Sequence, residues 1–304
     1  MNNKLFAAVV AVLVVGVISF AIFHSKAPVA QTHKTKVAAG FYPEYFLASQ
    51  IGGDKAQVTN ITPADAEPHD YEPTAQDMAT IENSEMLVVN GGVEAWANDL
   101  QKNLNPSKTL VVVAGQGLET QSVVEDGKSV TDPHVWQSPL LMKQMVERIE
   151  KGFEQVDPDN AAYYRSNANA LNTQLDQLDS EYRSGLASCA KKVIITSHAA
   201  FGYLATTYHL NQVSIAGLSP DAEPSPKQLA DIATFAKKND VKYIFFESLV
   251  SPKLSQTIAS EVGAQTMVLD PIEGLTEDDL AAGKNYLTVM RDNLAHLRVT
   301  LECK

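Results

Sequence analysis

From Lys36 onward, short apolar runs alternate with amphipathic stretches, which is the pattern of an α/β protein. Val37–Gly40, Val58–Ile61, Met86–Val89 and Leu110–Val113 read as strands. Between them lie an amphipathic segment from Pro43 to Ile51 closed by Gly52-Gly53, a capped segment from Ala75 to Asn83, and a helical stretch around Glu94–Leu104. The second half repeats the pattern, with Val193–Thr196, Gln212–Ile215, Lys242–Phe246 and Thr266–Leu269 as strands. A Ser225-Pro226 start and a Gly263 stop bound two of the helices among them.

The longest periodic segment separates these halves. Asp157 stands as its N-cap and Pro158 in its first turn, and Tyr164, Ala168, Leu171, Leu175, Leu178, Tyr182 and Leu186 recur in steps of four and three. One helix over 157–188 would run about 45 Å, a spine between two bodies. The expected architecture is therefore α/β in two lobes, 36–156 and 189–304, each a four-stranded, mostly parallel sheet flanked by helices, linked by that long helix. A final helix, apolar at Tyr286, Met290, Leu294, Leu297 and Leu301, should pack back across the lobes. The interval Ala114–Thr131 contains Gly115, Gly117 and Gly127 and no aromatic residue, and reads as a mobile surface loop.

Residues 1–30 stand apart. Lys4 precedes a charge-free, apolar run from Leu5 to Phe23, broken only by Ser19, which reads as a secretory signal peptide or an N-terminal membrane anchor. Either places the remainder outside the cytoplasm, in the periplasm or at the outer face of the cytoplasmic membrane. The formal net charge of −12 argues against nucleic acid or anionic lipid as a partner and suits a protein that meets cations. Cys189 and Cys303 are the two cysteines of the chain, and in an exported protein they are expected to form a disulfide.

The candidate chemistry sits at strand ends and helix starts. His134 lies in the prolyl loop Asp132-Pro133-His134, just before a helix with Ser138 as N-cap and Pro139 as first residue. His69 lies between Pro68 and Pro73, ahead of a helix that begins after Thr74; His198 follows the run Val193–Thr196; Asp270 follows Leu269 and precedes Pro271. Open α/β sheets bind ligands along that rim. Three neutral imidazoles and one carboxylate would make a closed tetrahedral zinc site with bonds of about 2.0–2.2 Å. Glu67, Glu223 and Glu247 are candidates to accept a hydrogen bond from a ligand histidine and fix its tautomer. Glu67 is also an alternative fourth ligand to Asp270.

The blocks around His69, His134 and His198, together with Gly217-Leu218-Ser219-Pro220-Asp221-Ala222-Glu223-Pro224-Ser225-Pro226 and Leu269-Asp270-Pro271, resemble the metal-binding solute-binding proteins of ABC transporters for zinc and manganese. Within that family the zinc-uptake, ZnuA-like type is the nearest match, over about residues 35–303. The resemblance implies a monomeric extracytoplasmic receptor without enzymatic activity. It would hold zinc, or alternatively manganese, in an interlobe cleft and hand the ion to a membrane permease. Histidine rather than a carboxylate at position 198 favours zinc. The chain departs from the zinc type in lacking a histidine-rich insertion in 114–131. A zinc hydrolase would need an open coordination position, and no His-Glu-x-x-His stretch occurs. A purely adhesive surface protein would leave four donors at strand ends unexplained.

Overall fold

The computed structural model describes residues 33–125 and 127–304. The targeting segment expected at 1–30 lies outside the described residues. In the first half, β1 (Thr35–Ala39), α1 (Tyr42–Gly52), β2 (Ala56–Asn60), α2 (Ala75–Glu82), β3 (Met86–Val89), α3 (Ala97–Asn103) and β4 (Leu110–Val113) follow one another. Their strands form a parallel sheet in the order β2-β1-β3-β4, with Val37 opposite both Val58 and Met86, and Leu87 opposite Val111. A parallel sheet must be apolar on both faces, and β3 is buried along its whole length. Met86 and Val88 join Phe46, Leu47 and Ile51 of α1 on one face, while Leu87 and Val89 join Ile81 of α2 and Leu100 of α3 on the other.

Two boundaries show local chemistry at work. Gly53 closes α1 with φ of +46°, a conformation costly for any residue with a Cβ, and the Tyr163 hydroxyl stands where that Cβ would go. At α2, the Thr74 side chain accepts from the Asp77 amide while Asp77 accepts from the Thr74 amide, a reciprocal cap that fixes where the His69 loop ends.

The segment expected to be a mobile loop is partly an antiparallel hairpin, β5 (Ser122–Glu125) with β6 (Lys128–Thr131). Its sequence signal is the dipeptide Asp126-Gly127 flanked by Val123, Val124 and Val130, a pairing of turn former and strand formers. Glycine and acid content masked it. The hairpin is anchored to the second half, since Glu125 Oε1 accepts from the Leu218 amide at 2.6 Å and the Tyr203 hydroxyl accepts from the Thr120 and Gln121 amides at 3.0 and 3.2 Å.

Helix α4 (Pro139–Val156) starts behind Ser138, as the sequence indicates, but the Ser138 hydroxyl accepts from Thr207 Oγ1 at 3.2 Å rather than capping its own helix. A short 3₁₀ turn, Pro158–Asn160, then precedes α5 (Ala161–Leu186). The spine is therefore 26 residues, about 39 Å, and begins later than Asp157. Asp157 still organises its start by accepting from Asn160 at 2.8 Å and from the Tyr164 hydroxyl at 2.6 Å. Every apolar position of the expected stripe, from Tyr164 to Leu186, is buried.

In the second half, β7 (Val193–Thr196), α6 (Gly202–Thr207), β8 (Asn211–Ser214), α7 (Pro226–Lys238), β9 (Tyr243–Phe246), α8 (Lys253–Val262) and β10 (Gln265–Val268) alternate. Among the described residues, the expected four-stranded sheet is hydrogen-bonded as two parallel pairs, β7-β8 and β9-β10, with β7 lying beside β9. Ile195, Ile215, Ile232, Ile244 and Ile258 still share one core, so the side chains unite what the ladders divide. After α9 (Glu277–Ala281), α10 (Tyr286–Thr300) packs on the spine, where the Tyr182 hydroxyl donates to Met290 O at 2.7 Å. It also reaches the first half, with the Tyr286 hydroxyl donating to Trp136 O at 2.7 Å. Cys189 and Cys303 are joined by a disulfide that ties the end of α10 to the entrance of β7. No helix among the described residues is long and apolar enough to cross a membrane.

Candidate metal centre

His134 is fully buried at the start of a 3₁₀ turn, Val135–Gln137. Asp132 Oδ1 accepts both from the His134 amide at 2.9 Å and from its ring Nδ1 at 2.7 Å. A carboxylate only accepts, so Nδ1 donates to Asp132 and Nε2, turned toward Glu273, is the nitrogen free to bind an ion once unprotonated. His198 is arranged alike. It is fully buried beyond β7, its carbonyl is held by Thr196 Oγ1 at 2.7 Å, and its Nδ1 lies 2.6 Å from Glu247 Oε1. His69, with 9% of its side chain exposed, is set by the Glu67 carboxylate, which accepts the His69 amide at 3.2 Å.

These three rings converge on Glu273, a buried carboxylate beyond β10. Glu273 Oε1 is 3.5 Å from His69 Nε2, 3.2 Å from His134 Nε2 and 3.2 Å from His198 Nε2. His134 Nε2 and His69 Nε2 are 3.3 Å apart, and the four donor atoms all lie within 4.8 Å of one another. Tetrahedral zinc with bonds of about 2.0–2.1 Å separates its donors by about 3.3–3.4 Å. Four of the six separations, at 3.2–3.5 Å, match the edges of that tetrahedron, and all six are within 4.8 Å.

The charges at the site favour a cation. Burial works against charge on His134, but hydrogen bonds to Asp132 and Glu273 outweigh it and raise its pKa. His198 is raised well above the usual imidazole range, burial again being overcome, here by Glu247 and Glu273. Burial likewise opposes ionisation of Glu273, yet His198, His134 and His69 hold its carboxyl well below the ordinary range. Carboxylate partners on ligand histidines are commonly worth about tenfold to a hundredfold in metal affinity.

The model of the family described as "Zinc-uptake complex component A periplasmic", ZnuA, matches residues 37–299. The chain belongs to the ZnuA family. The high-affinity zinc uptake system protein ZnuA of Bacillus subtilis is 39% identical over 283 residues, 89% of each protein. The zinc-binding lipoprotein AdcA of Streptococcus pneumoniae is 38% identical over 281 residues. This ZnuA-family chain spans only 56% of the length of AdcA. Among solved structures, the zinc-bound ZnuA-like domain of S. pneumoniae AdcA aligns at TM-score 0.76 and 39% identity, covering 88% of this chain and 99% of that one. The laminin-binding protein Lmb of Streptococcus agalactiae, described as bifunctional with adhesin and metal-transporting activity, aligns at TM-score 0.80 and 34% identity over 88% of this chain and all of its own.

Within this ZnuA-family site, the structure brings together His69, His134 and His198 as the sequence suggests, but Glu273 takes the place expected for Asp270. Both Asp270 oxygens are engaged elsewhere, Oδ2 by Ser248 Oγ at 2.6 Å and Oδ1 by the Ile272 amide at 2.7 Å. Glu67, the other alternative, is not among the four converging donors, and one of its oxygens accepts the His69 amide instead. Of the expected orienting acids, Glu247 bonds a ligand ring, whereas Glu223 is exposed in the loop before α7 and does not. Asp132 fills that role for His134. A repeated acid-Pro-His signal, Glu67-Pro68-His69 and Asp132-Pro133-His134, marks it in the sequence. In both copies the acid accepts the histidine's own amide.

Proposed function

We propose that this chain is an extracytoplasmic zinc receptor that captures the ion through His69, His134, His198 and Glu273 and delivers it to an ABC permease. The reading is carried by one observation, the convergence of three imidazole nitrogens and one carboxylate oxygen within 4.8 Å of one another. Four protein donors fill a tetrahedron and leave no position for an activated water, which argues for capture rather than hydrolysis. Membership of a family described as periplasmic supports a location outside the cytoplasm, and the description as a component of an uptake complex supports a permease partner.

In this reading the ion sits between two lobes, 36–156 and 189–304, joined by the helical segment 157–188. Support comes from the separate sheets of the two halves and from the division of the donors, two from each. Binding by a monomer suffices, since one chain supplies all four. Manganese is the competing cargo, but it prefers oxygen donors and lies below zinc in the order of affinities. Titration of the purified, chelator-stripped protein should give one zinc per chain, bound more tightly than manganese by at least about tenfold. Manganese binding equal to or tighter than zinc would refute the choice of ion.

A further inference from the structure

The segment that carries Glu273 is bent at a residue poorly suited to bending. Ile272 has φ of +59° and is fully buried. A β-branched residue in the left-handed region is a genuine outlier, and such a conformation persists only where its surroundings over-determine it. Here they do so from two sides. Asp270 Oδ1 accepts the Ile272 amide at 2.7 Å, and Asp270 is itself fixed by Ser248 Oγ at 2.6 Å. Asn293 of α10 brackets the same residue, accepting from the Asp270 amide at 2.9 Å and donating to Asp270 O at 2.7 Å. From the first half, Trp136 Nε1 at 2.8 Å and Gln137 Nε2 both donate to Pro271 O.

We propose that Asp270 is a positioning residue of the metal centre: its carboxylate holds Ile272 left-handed, and that turn is what directs Glu273 into the histidine cluster. The inference rests on the reading of Glu273 as fourth donor. Asp270 lies three residues before Glu273 and engages no ligand itself, so its influence passes through the backbone it bends. The clamp on Pro271 comes from the turn immediately after His134, so one short network sets the placement of a donor from each half. Without the Asp270 acceptor, Ile272 would relax toward an ordinary φ and Glu273 would withdraw, leaving three histidines and room for more than one water.

Zinc titration and the visible absorption of the Co²⁺ complex test this, because cobalt absorbs strongly in a four-coordinate site and weakly once water raises its coordination number. Glu273→Ala, which removes a donor, should weaken zinc by about a hundredfold or more and Asp270→Ala by about tenfold to a hundredfold, and both should dim the cobalt bands. The D270A/E273A double variant should be no weaker than E273A, because both changes remove the same bond. Asp270→Asn should keep the wild-type absorption, since its amide oxygen still accepts from Ile272 and Ser248 can accept from its amide nitrogen. Wild-type behaviour of D270A beside a weakened E273A overturns the inference, as does a double variant whose losses multiply. If D270A does not fold, D270N decides alone: bands as dim as those of E273A mean that the charge of Asp270, as a ligand, is what matters. Wild-type zinc affinity in E273A would instead remove Glu273 from the site, and the inference falls with that reading.

Discussion

Replacing His198 with alanine should weaken zinc binding by about a hundredfold or more and leave the fold in place. Loss of an orienting partner alone commonly costs tenfold to a hundredfold, and this substitution removes a donor itself. It also leaves Glu247 and Glu273, each almost wholly buried, without the imidazole that lies between them. A buried charge stripped of its partner is costly, so little compensation from water is available at a position with no exposure. His69→Ala should lose less, because its side chain is partly open to solvent and a water can enter in its place. Calorimetric zinc titration of both variants checks the order. Equal, wild-type affinities would contradict the donor set.

The rise in melting temperature on adding zinc should shrink steadily as pH falls from 8 to 5. Zinc requires the inward nitrogens unprotonated, and protons compete for them. His134 and His198 are both raised above the ordinary value near 6.5, so the competition begins above that pH. The sign is the same on the stability side. Histidines with raised folded pKa values stabilise the metal-free fold fully below their unfolded value, and that contribution is lost as pH rises through the folded one. Glu273, held low, contributes above its unfolded value and loses that contribution only as pH falls through its folded one. Toward acid, then, the metal-free protein keeps its imidazolium–carboxylate pairing while zinc loses its ligands. Differential scanning calorimetry with and without zinc measures the difference, and a rise independent of pH would assign the ion to carboxylates alone.

The long helix and the strand cores were legible because burial there imposes a period, and Tyr164 through Leu186 kept theirs to the residue. The three histidines were legible for a different reason: prolines and strand ends present them, and both can be read locally. Glu273 was not. Choosing between Asp270 and Glu273 depends on a left-handed turn at Ile272, and nothing about isoleucine announces one, since its side chain disfavours that conformation. Tertiary contacts from Trp136, Gln137 and Asn293 decide it, at sequence distances no local pattern spans. Glu223 failed for a related reason, as the exposure of its loop is set by packing rather than by neighbours in sequence. The 122–131 hairpin is marked in the sequence by Asp126-Gly127 and its flanking valines, but the glycines and acids around it give the composition of a loop.

Zinc K-edge X-ray absorption of the loaded protein addresses the donor set most directly. The account predicts four nitrogen and oxygen donors at about 2.0–2.1 Å, with the outer-shell scattering of three imidazoles, and a pattern that changes to two imidazoles in His198→Ala. Six-coordinate zinc dominated by oxygen, or a spectrum unaltered by that substitution, would contradict it.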